Sequence, residues 1–214
     1  MKKPISYILD CDGVILDSNN LKIEVAEEVL LNLSDIFPSK KVPEAIESFK
    51  KNFGKSRYWH VHQFKNLMHK PVTNFEKLFL DSYATTLGKK YHLTPLCEGV
   101  LDFLRECKSD KYVVSGSDQA ELNSVFKKQK INKFFKKILG SPISKAQNIN
   151  SIVKTSNAKF IFIGDSFEDM KASKLNNIDF FFYKPYSLVR DELEAEARRM
   201  NYHIFEDWKE IYEH

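Results

Sequence analysis

The chain is poor in cysteine and has no long hydrophobic run. Its three cysteines, Cys11, Cys97 and Cys107, are an odd number among 214 residues, and no Cys-x-x-Cys pair occurs. The sequence therefore indicates neither a disulfide framework nor a zinc site. The apolar stretch after residues 1–3 is too short for a signal peptide or a transmembrane span. We expect a cytoplasmic protein without a membrane partner.

The sequence also lacks internal repeats, low-complexity tracts and nucleic-acid-binding motifs. The net charge is only +4, and we interpret the lysine-rich segments 127–130 and 136–137 as solvated faces rather than a nucleic-acid surface. What the chain does contain is a hydrophobic fraction of 43%, with seventeen phenylalanines and nine tyrosines, which is enough for a globular core. At 214 residues, one core with an insertion is the expected organisation.

Short apolar runs that end in polar or glycine-bearing turns predict the strands of a sheet. They lie, in chain order, at 5–9, 111–114, 134–139, 159–163, 178–183 and 202–205. Helical patterns separate the later runs, at 100–107, 119–130, 145–155 and 167–176. Strands that alternate with short helices predict an α/β fold, with a Rossmann-like doubly wound parallel sheet and helices on both of its faces.

The segment 17–91 breaks this rhythm, because it shows helical periodicity and no clear strand. Its apolar residues recur at helical spacing over 21–33, 42–53, 58–68 and 75–87. We interpret 17–91 as an inserted α-helical cap, and 1–16 together with 92–214 as the Rossmann-like core. Two adjacent hinges would let the cap move as a lid, whereas a set of packed helices without motion is the alternative.

Asp10 and Asp12 follow the first predicted strand, with Gly13 directly after them. Packing explains two such acids poorly, because a buried carboxylate is costly without a partner. Open α/β folds bind their ligands at this end of the sheet, and Gly13 lets the chain turn sharply there. An ordinary Asp-Gly turn or a helix cap is the other interpretation.

Polar residues also stand at the ends of later strands or at the starts of the helices that follow. Ser115 ends the second run, Lys145 starts a helix, and Asp165 comes after the fourth run. The carboxyl ends of the strands in a doubly wound sheet converge, so we expect these side chains to meet the two aspartates in one crevice. Taken singly, Ser115 fits a strand-end hydroxyl and Lys145 fits a surface lysine.

Four short segments carry a resemblance to a known family. They are Asp-Cys-Asp-Gly-Val at 10–14, Ser-Gly-Ser at 115–117, the isolated Lys145, and Gly-Asp-Ser-Phe-Glu-Asp-Met at 164–170. In order and in spacing, and together with the helical insertion, they match the four motifs of the haloacid dehalogenase superfamily. Over essentially its full length the chain resembles the phosphatase and β-phosphoglucomutase-like branch of that superfamily.

This resemblance implies a Mg²⁺ site and a mechanism through an aspartyl-phosphate. Asp10 would be the nucleophile and a metal ligand, and Asp165 would complete the metal site. Asp12 would give its backbone carbonyl to the metal, while its side chain protonates the leaving alcohol and later deprotonates the attacking water. Carboxylates and a substrate phosphate suit Mg²⁺, and a covalent intermediate replaces one difficult step with two.

The resemblance also implies roles for residues around the phosphoryl group. Ser115 and the Gly116 amide would hold phosphoryl oxygens, and Lys145 would neutralise the nucleophile and the transferring group. Asp169 would support the site from outside the set of metal ligands. Alternatively, Asp169 only caps a helix with Ser166 in a Ser-x-x-Asp box.

In the cap, the segment 53–57 resembles the Gly-x-Ser-Arg specificity loop of β-phosphoglucomutase-like relatives. Arg57 would bind substrate by forking onto a phosphate or carboxylate, and a solvated arginine at a helix start is the alternative. In the mutase subgroup a histidine lies twelve residues after the nucleophile, and Lys22 occupies that place here. This departure weakens the mutase interpretation.

Asp12 favours phosphoester chemistry. The resemblance implies that dehalogenases and phosphonate-cleaving members lack an acid there, and an alcohol leaving group needs a proton donor. We therefore expect a Mg²⁺-dependent phosphatase for a small phosphorylated metabolite, such as a sugar or polyol phosphate. A phosphomutase of the β-phosphoglucomutase type is the first alternative, and a non-catalytic binding protein on the same fold is the second. The expected oligomeric state is a monomer or a weak homodimer.

Overall fold

A six-stranded sheet, in which every strand runs parallel to its neighbours, forms the centre of the fold in this computed structural model. The strands are β1 (Ile5–Leu9), β2 (Asp110–Asp118), β3 (Lys137–Ser141), β4 (Lys159–Gly164), β5 (Asp179–Tyr183) and β6 (His203–Phe205). Their order across the sheet is β3-β2-β1-β4-β5-β6. The predicted α/β fold with a doubly wound parallel sheet is confirmed.

Helices connect the strands in the part of the chain that the structure describes, which is residues 4–68, 70 and 72–213 without the side chains of 212 and 213. Between β1 and β2 lie α1 (Asn19–Asn32), α2 (Val42–Lys51), α3 (Arg57–Asn66) and α4 (Phe75–Lys90). After them come α5 (Val100–Glu106), α6 (Gln119–Lys128), α7 (Lys145–Val153), α8 (Phe167–Leu175) and α9 (Arg190–Arg199). Residues 1–3 and 214 of the predicted core, and 69 and 71 of the predicted cap, lie outside the described residues. No described helix combines the length and the apolar character needed to cross a membrane.

The central strands pack into apolar clusters on both faces of the sheet. Leu9 and Ile163 belong to one cluster, and Ile8 and Phe162 belong to another. All four side chains are completely buried, because side chains alternate across a strand and helices cover both faces of the sheet. This double burial explains why the strand sequences read as continuous apolar runs.

The order of the strands reverses direction at β1, and this reversal determines where the site lies. β1 pairs with β2 on one side and with β4 on the other. The chain completes one half of the sheet, as far as β3, before it crosses to β4 and completes the other half. Open α/β sheets bind ligands outside the carboxyl ends of the strands at such a switch point. Asp10 and Asp165 follow the ends of β1 and β4.

The four helices between β1 and β2 pack mainly on one another. α1 packs against α2 and α4, and α3 packs against α4. Aromatic rings fill the space between them, with ring centroids 5.3 Å apart for Phe64 and Phe79 and 5.5 Å apart for Phe37 and Phe75. The predicted division into a cap at 17–91 and a core stays a prediction, and the apolar cluster is continuous from these helices into the sheet.

Three elements differ clearly from the sequence-based prediction. β2 continues to Asp118 instead of ending at 114, so Ser115 lies within the strand. β3 begins at Lys137 rather than at 134, because Asn132–Phe134 forms a 3₁₀ turn and the following Phe135 packs against the core. α9 lies in a segment where no helix was predicted. Only Leu193 and Ala197 of its residues are buried, so charged residues conceal its apolar periodicity.

Candidate active site

Asp10 follows β1 directly, in the middle of the crevice. Its backbone N–H donates to the carbonyl oxygen of Ile163 on β4 at 2.9 Å, which continues the pairing of the two strands. Its buried carboxylate accepts from the Cys11 N–H at 2.7 Å and from Lys145 Nζ at 2.8 Å. Burial raises the pKa of Asp10 to about 7, and the nearby Asp169 carboxylate adds to the shift while Lys145 opposes it. Asp10 is thus held beside an ammonium group and away from bulk water.

Lys145 supplies that ammonium from the first residue of α7. Ser144 caps the helix, because its Oγ accepts from the Gln147 N–H at 3.3 Å and the Gln147 side chain accepts from the Ser144 N–H. From this fixed first turn, Lys145 reaches Asp10 and also donates to Asp169 Oδ1 at 2.6 Å. Burial lowers the pKa of Lys145, but the two carboxylates outweigh burial and raise it overall. Lys145 is only 3% exposed, which excludes its interpretation as a surface lysine.

Three buried carboxylates, those of Asp10, Asp165 and Asp169, each offer an oxygen within 4.8 Å of the other two. Asp165 Oδ2 accepts from Asn19 Nδ2 at 2.7 Å, whereas its Oδ1 has no hydrogen-bond partner among the described residues. Burial, together with repulsion from the other two carboxylates, raises the pKa of Asp165 well above its usual value. Lys145 brings one positive charge to three carboxylates, so a divalent cation would improve the charge balance. Oxygen ligands of this kind fit Mg²⁺.

The carboxylate of Asp12 lies outside this cluster and has its own donors. Its Oδ1 accepts from Ser18 Oγ at 2.6 Å and from Tyr91 OH at 2.7 Å. Its Oδ2 accepts from Lys22 Nζ at 2.5 Å and from Ser117 Oγ at 2.7 Å, and Lys22 also donates to Ser117. Burial raises the pKa of Asp12, but the Lys22 ion pair and the hydroxyls outweigh burial and lower it overall. The metal contact predicted for Asp12 runs through its backbone carbonyl rather than through this carboxylate, and it stays a prediction.

Sequence reasoning missed the residues that hold this second aspartate. Ser18 and Tyr91 belong to no motif, and Lys22 stood out only as a departure from the mutase pattern. One signal was available in α1, where Asn19 and Lys22 share a buried face with Ala26. Polar residues on the core-facing stripe of a helix are rarely buried without a specific partner.

Two glycines allow backbone segments to approach the site closely. Gly13 has a φ of 76°, and a Cβ there would overlap the Asp165 carboxylate. A Cβ at Gly116 on β2 would overlap the carbonyl oxygen of Gly54 and would lie 2.9 Å from that of Lys55. The loop before α3 therefore lies directly against the strand that carries the predicted phosphoryl-binding residues.

A cleft of about 400 Å³, mouth included, lies between this loop and the end of the sheet. Its core side is formed by Asp10, Asp12, Ser115, Gly116 and Ser117, and its other side includes Phe49, Phe53, His60 and Tyr83. The structure therefore brings the predicted Ser115 and Gly116 into the same cleft as Asp10. Ser115 is buried, and its Oγ accepts from the Ser117 N–H at 3.1 Å. Only about 30 Å³ of this space is open to the centre of a water molecule, so the cleft in this conformation has room for a few waters at most.

Asp169 combines the two interpretations that its position suggested. Its Oδ2 accepts from the Ser166 N–H at 3.1 Å and from Ser166 Oγ at 2.6 Å, within a capping box that starts α8. Its Oδ1 accepts from Lys145, so both oxygens already have donors. This arrangement fits a residue that supports the carboxylate cluster through Lys145, and that role stays a prediction.

Arg57 begins α3 and lines the cleft, but its guanidinium already has a partner. Nη1 donates to Glu121 Oε1 at 2.6 Å, and Nη2 donates to Glu121 Oε2. The guanidinium also lies over the Tyr83 ring, with Cζ 4.9 Å from the ring centroid. Its predicted contact with a substrate anion stays a prediction.

The fold and the site together define an open α/β protein with a carboxylate cluster, a buried ammonium and a covered cleft at its topological switch point. The sequence profile of haloacid dehalogenase-like hydrolases matches residues 7–183. The chain belongs to this family, and the resemblance that its four motifs indicated is confirmed. No curated protein matches the sequence.

Solved structures share the fold at low sequence identity. A predicted phosphatase from Clostridium acetobutylicum is 18% identical, with a TM-score of 0.77, and the match covers 100% of this chain and 98% of that chain. A predicted phosphoglycolate phosphatase from Haemophilus somnus is 15% identical, with a TM-score of 0.76 and coverage of 97% and 96%. CbbY from Rhodobacter sphaeroides, in complex with phosphate, is 12% identical, with a TM-score of 0.68 and coverage of 86% and 88%. At these identities the matches show the fold alone.

Proposed function

We propose that this chain is a Mg²⁺-dependent phosphatase that hydrolyses a small phosphorylated metabolite, such as a sugar or polyol phosphate, through an aspartyl-phosphate on Asp10. The observation that carries the proposal is the contact of Asp10 with Lys145 at 2.8 Å inside a buried carboxylate cluster. Membership in a hydrolase family agrees with it, and one structural relative was crystallised with phosphate.

Asp10, Asp165 and the backbone carbonyl of Asp12 would hold the metal ion. When bound, Mg²⁺ offsets negative charge on phosphoryl oxygens. Asp165 Oδ1, which has no partner among the residues that the structure describes, supports this assignment, because a buried acceptor without a donor is costly unless a ligand satisfies it.

The chain's own residues then divide the two chemical steps. An oxygen of Asp10 attacks phosphorus, the ester P–O bond breaks, and the leaving alcohol takes a proton from Asp12. Lys145 offsets the charge on the transferring group, while Ser115 and the Gly116 amide hold phosphoryl oxygens. In the second step Asp12 accepts a proton from the water that attacks phosphorus, and Asp10 is released. The lowered pKa of Asp12 keeps its carboxylate ionised but makes it a weak base. Both of its roles therefore require substrate to displace at least one of its donors.

Phosphate release from a panel of phosphorylated sugars, polyols, amino alcohols and nucleotides tests the proposal. We expect the wild type to release phosphate with Mg²⁺ and not with EDTA. We expect Asp10→Asn to release none, because the amide cannot replace the carboxylate nucleophile. Asp179→Asn is the matched control, since it changes an exposed aspartate at the start of β5. Undiminished turnover by Asp10→Asn would refute the proposed nucleophile.

Product analysis in the same assay separates a phosphatase from the other functions considered. A phosphomutase would return an isomerised phosphate ester without free phosphate. Lys22, which pairs with Asp12, stands where the mutase subgroup has histidine, and this argues for hydrolysis. A binding protein would bind Mg²⁺ or a phosphoryl mimic without turnover. The cytoplasmic location and the monomeric or weakly dimeric state remain predictions.

A further inference from the structure

A buried ion pair links the helical insertion to the core beside the cleft. Arg57, the first residue of α3, donates to both carboxylate oxygens of Glu121 on α6, with 2.6 Å between Nη1 and Oε1. The two side chains are only 9% and 15% exposed. Two parallel charge-assisted hydrogen bonds fix the relative orientation of the groups they join. The pair therefore helps to fix how α3 lies against α6.

The arginine is poorly placed to receive a substrate anion while this pair is intact. Both of its terminal nitrogens are committed to Glu121, and its plane is covered on one side by the Tyr83 ring. A substrate phosphate or carboxylate would have to displace a carboxylate that is itself largely buried. That exchange is costly, because it leaves Glu121 without a counter-charge. The contacts of Arg57 are those of a structural ion pair between two helices rather than of a vacant anion-binding site.

The loop 52–56, which precedes Arg57 and is held by this ion pair, lies over the predicted phosphoryl-binding residues. A Cβ at Gly54, three residues before Arg57, would overlap Ser166 Oγ and would come 3.3 Å from Lys145 Nζ. The carbonyl oxygen of Gly54 lies against Gly116 so closely that a Cβ there would overlap it. A small movement of α3 away from the core would therefore uncover the site.

The loop and the helix move together, because the start of α3 is capped. Ser56 Oγ accepts from the Trp59 N–H at 3.3 Å, which connects the loop to the first turn of the helix. Tyr58 OH donates to Asp118 Oδ2 at 3.4 Å, and Asp118 in turn caps α6. The contact between Tyr58 and Asp118 joins the same two helices that the ion pair joins.

We propose that Glu121 is a positioning residue, which holds the loop 52–56 over the phosphoryl site through its pair with Arg57. The inference rests on the proposed phosphatase function for its consequence, although the closure itself can be measured without a substrate. While the pair holds, the loop excludes water from Asp10 and Lys145. Loss of either partner lowers the fraction of closed, competent protein, and apparent affinity for substrate falls by the same factor.

Limited proteolysis tests the closure directly. Trypsin can cut after Lys55 only when the loop leaves the core, so the rate of this cut reports the open fraction. We expect Glu121→Gln and Arg57→Gln each to raise that rate at least about tenfold, because each removes one charge of a buried pair. Glu76→Gln is the matched control, since Glu76 pairs with Lys65 of α3 inside the insertion, and it should be cut at the wild-type rate. Equal rates for Glu121→Gln and the wild type would overturn the inference.

A double-mutant cycle in steady-state kinetics separates positioning from direct substrate binding. If Arg57 acts through Glu121, both single variants lose about tenfold in kcat/KM, mainly in KM. The double variant loses no more than either single variant, because one interaction is lost once and no buried charge is left unpaired. If Arg57 binds substrate itself, Glu121→Gln keeps the wild-type value and only Arg57→Gln loses, which overturns the inference. A wild type that releases no phosphate from any compound overturns the proposed function, and the proteolysis result still decides the positioning of the loop.

Discussion

Replacing Lys145 by methionine tests how the site balances its charges. The change removes an ammonium that lies 2.8 Å from Asp10 and 2.6 Å from Asp169, while most of the side-chain volume is kept. Removing one partner of a buried ion pair costs about 3–5 kcal/mol, because the other charge stays buried without compensation. We expect the free energy of unfolding of the metal-free protein at pH 8 to fall by about this amount.

The loss depends on pH, because the carboxylates can take up protons. Burial raises the pKa of Asp10 to about 7 in the wild type, above the 3.8 of an unperturbed aspartate. Such a group stabilises the folded protein while it is protonated, and this stability is lost as the pH rises through the folded-state pKa. Without Lys145 the pKa of Asp10 rises further. The destabilisation should therefore be at least about 1 kcal/mol smaller at pH 6 than at pH 8.

Urea unfolding followed by circular dichroism, at pH 6 and pH 8 and with EDTA or Mg²⁺, measures these effects. Mg²⁺ at 100 times its Kd for the variant should raise the variant's free energy of unfolding by about 2.7 kcal/mol. Lys171→Met, which changes an exposed lysine on α8, is the control and should stay within about 0.5 kcal/mol of the wild type. Phosphate release by Lys145→Met should fall at least about 100-fold. If Lys145→Met is as stable as the wild type in EDTA at pH 8, Lys145 does not offset the negative charge of the carboxylate cluster.

Metal affinity and leaving-group dependence test the two aspartates separately. Because burial raises the pKa of Asp10 to about 7, metal binding must displace a proton at lower pH. Titration calorimetry should show Mg²⁺ affinity about tenfold tighter at pH 8 than at pH 6, with proton release, and a pH-independent affinity would count against the site. Asp12→Asn should lower kcat for alkyl phosphates by about 100- to 10,000-fold. It should lower kcat much less for p-nitrophenyl phosphate, whose leaving group needs no proton, and equal losses would exclude the acid role.

The strand-end residues of the site could be predicted from the sequence, because a parallel sheet fixes where the ends of its strands lie. Asp10 and Asp165 are far apart in the chain, yet each follows an apolar run, and β1 and β4 are neighbours. Lys145 could be placed for a similar reason, since it starts the helix that follows β3. Periodicity and turn chemistry place these residues at one edge of the sheet, and the family resemblance singles out Lys145, which taken alone fits a surface lysine.

Contacts between side chains on helices could not be predicted in this way. The approach of Lys22 to Asp12 depends on how α1 packs over the end of the sheet, and many apolar contacts set that packing jointly. The pairing of Arg57 with Glu121 depends in the same way on where α3 meets α6. Neither segment carries a local pattern that encodes the distance to its partner, so the sequence indicated Arg57 and not Glu121.

The two aspartates after β1 show that the surroundings of a residue, rather than its type, set its protonation state at this site. Both are buried, yet burial and Asp169 raise the pKa of Asp10, whereas the Lys22 ion pair outweighs burial and lowers the pKa of Asp12. Environments that push two carboxylate pKa values apart assign acid and base roles in enzymes. The proposed first step needs the opposite states, an ionised Asp10 and a protonated Asp12. Asp10 loses its proton when a cation binds, and Asp12 gains one when substrate displaces its donors. Under the proposed mechanism, hydrolysis is therefore confined to the site that holds both ligands.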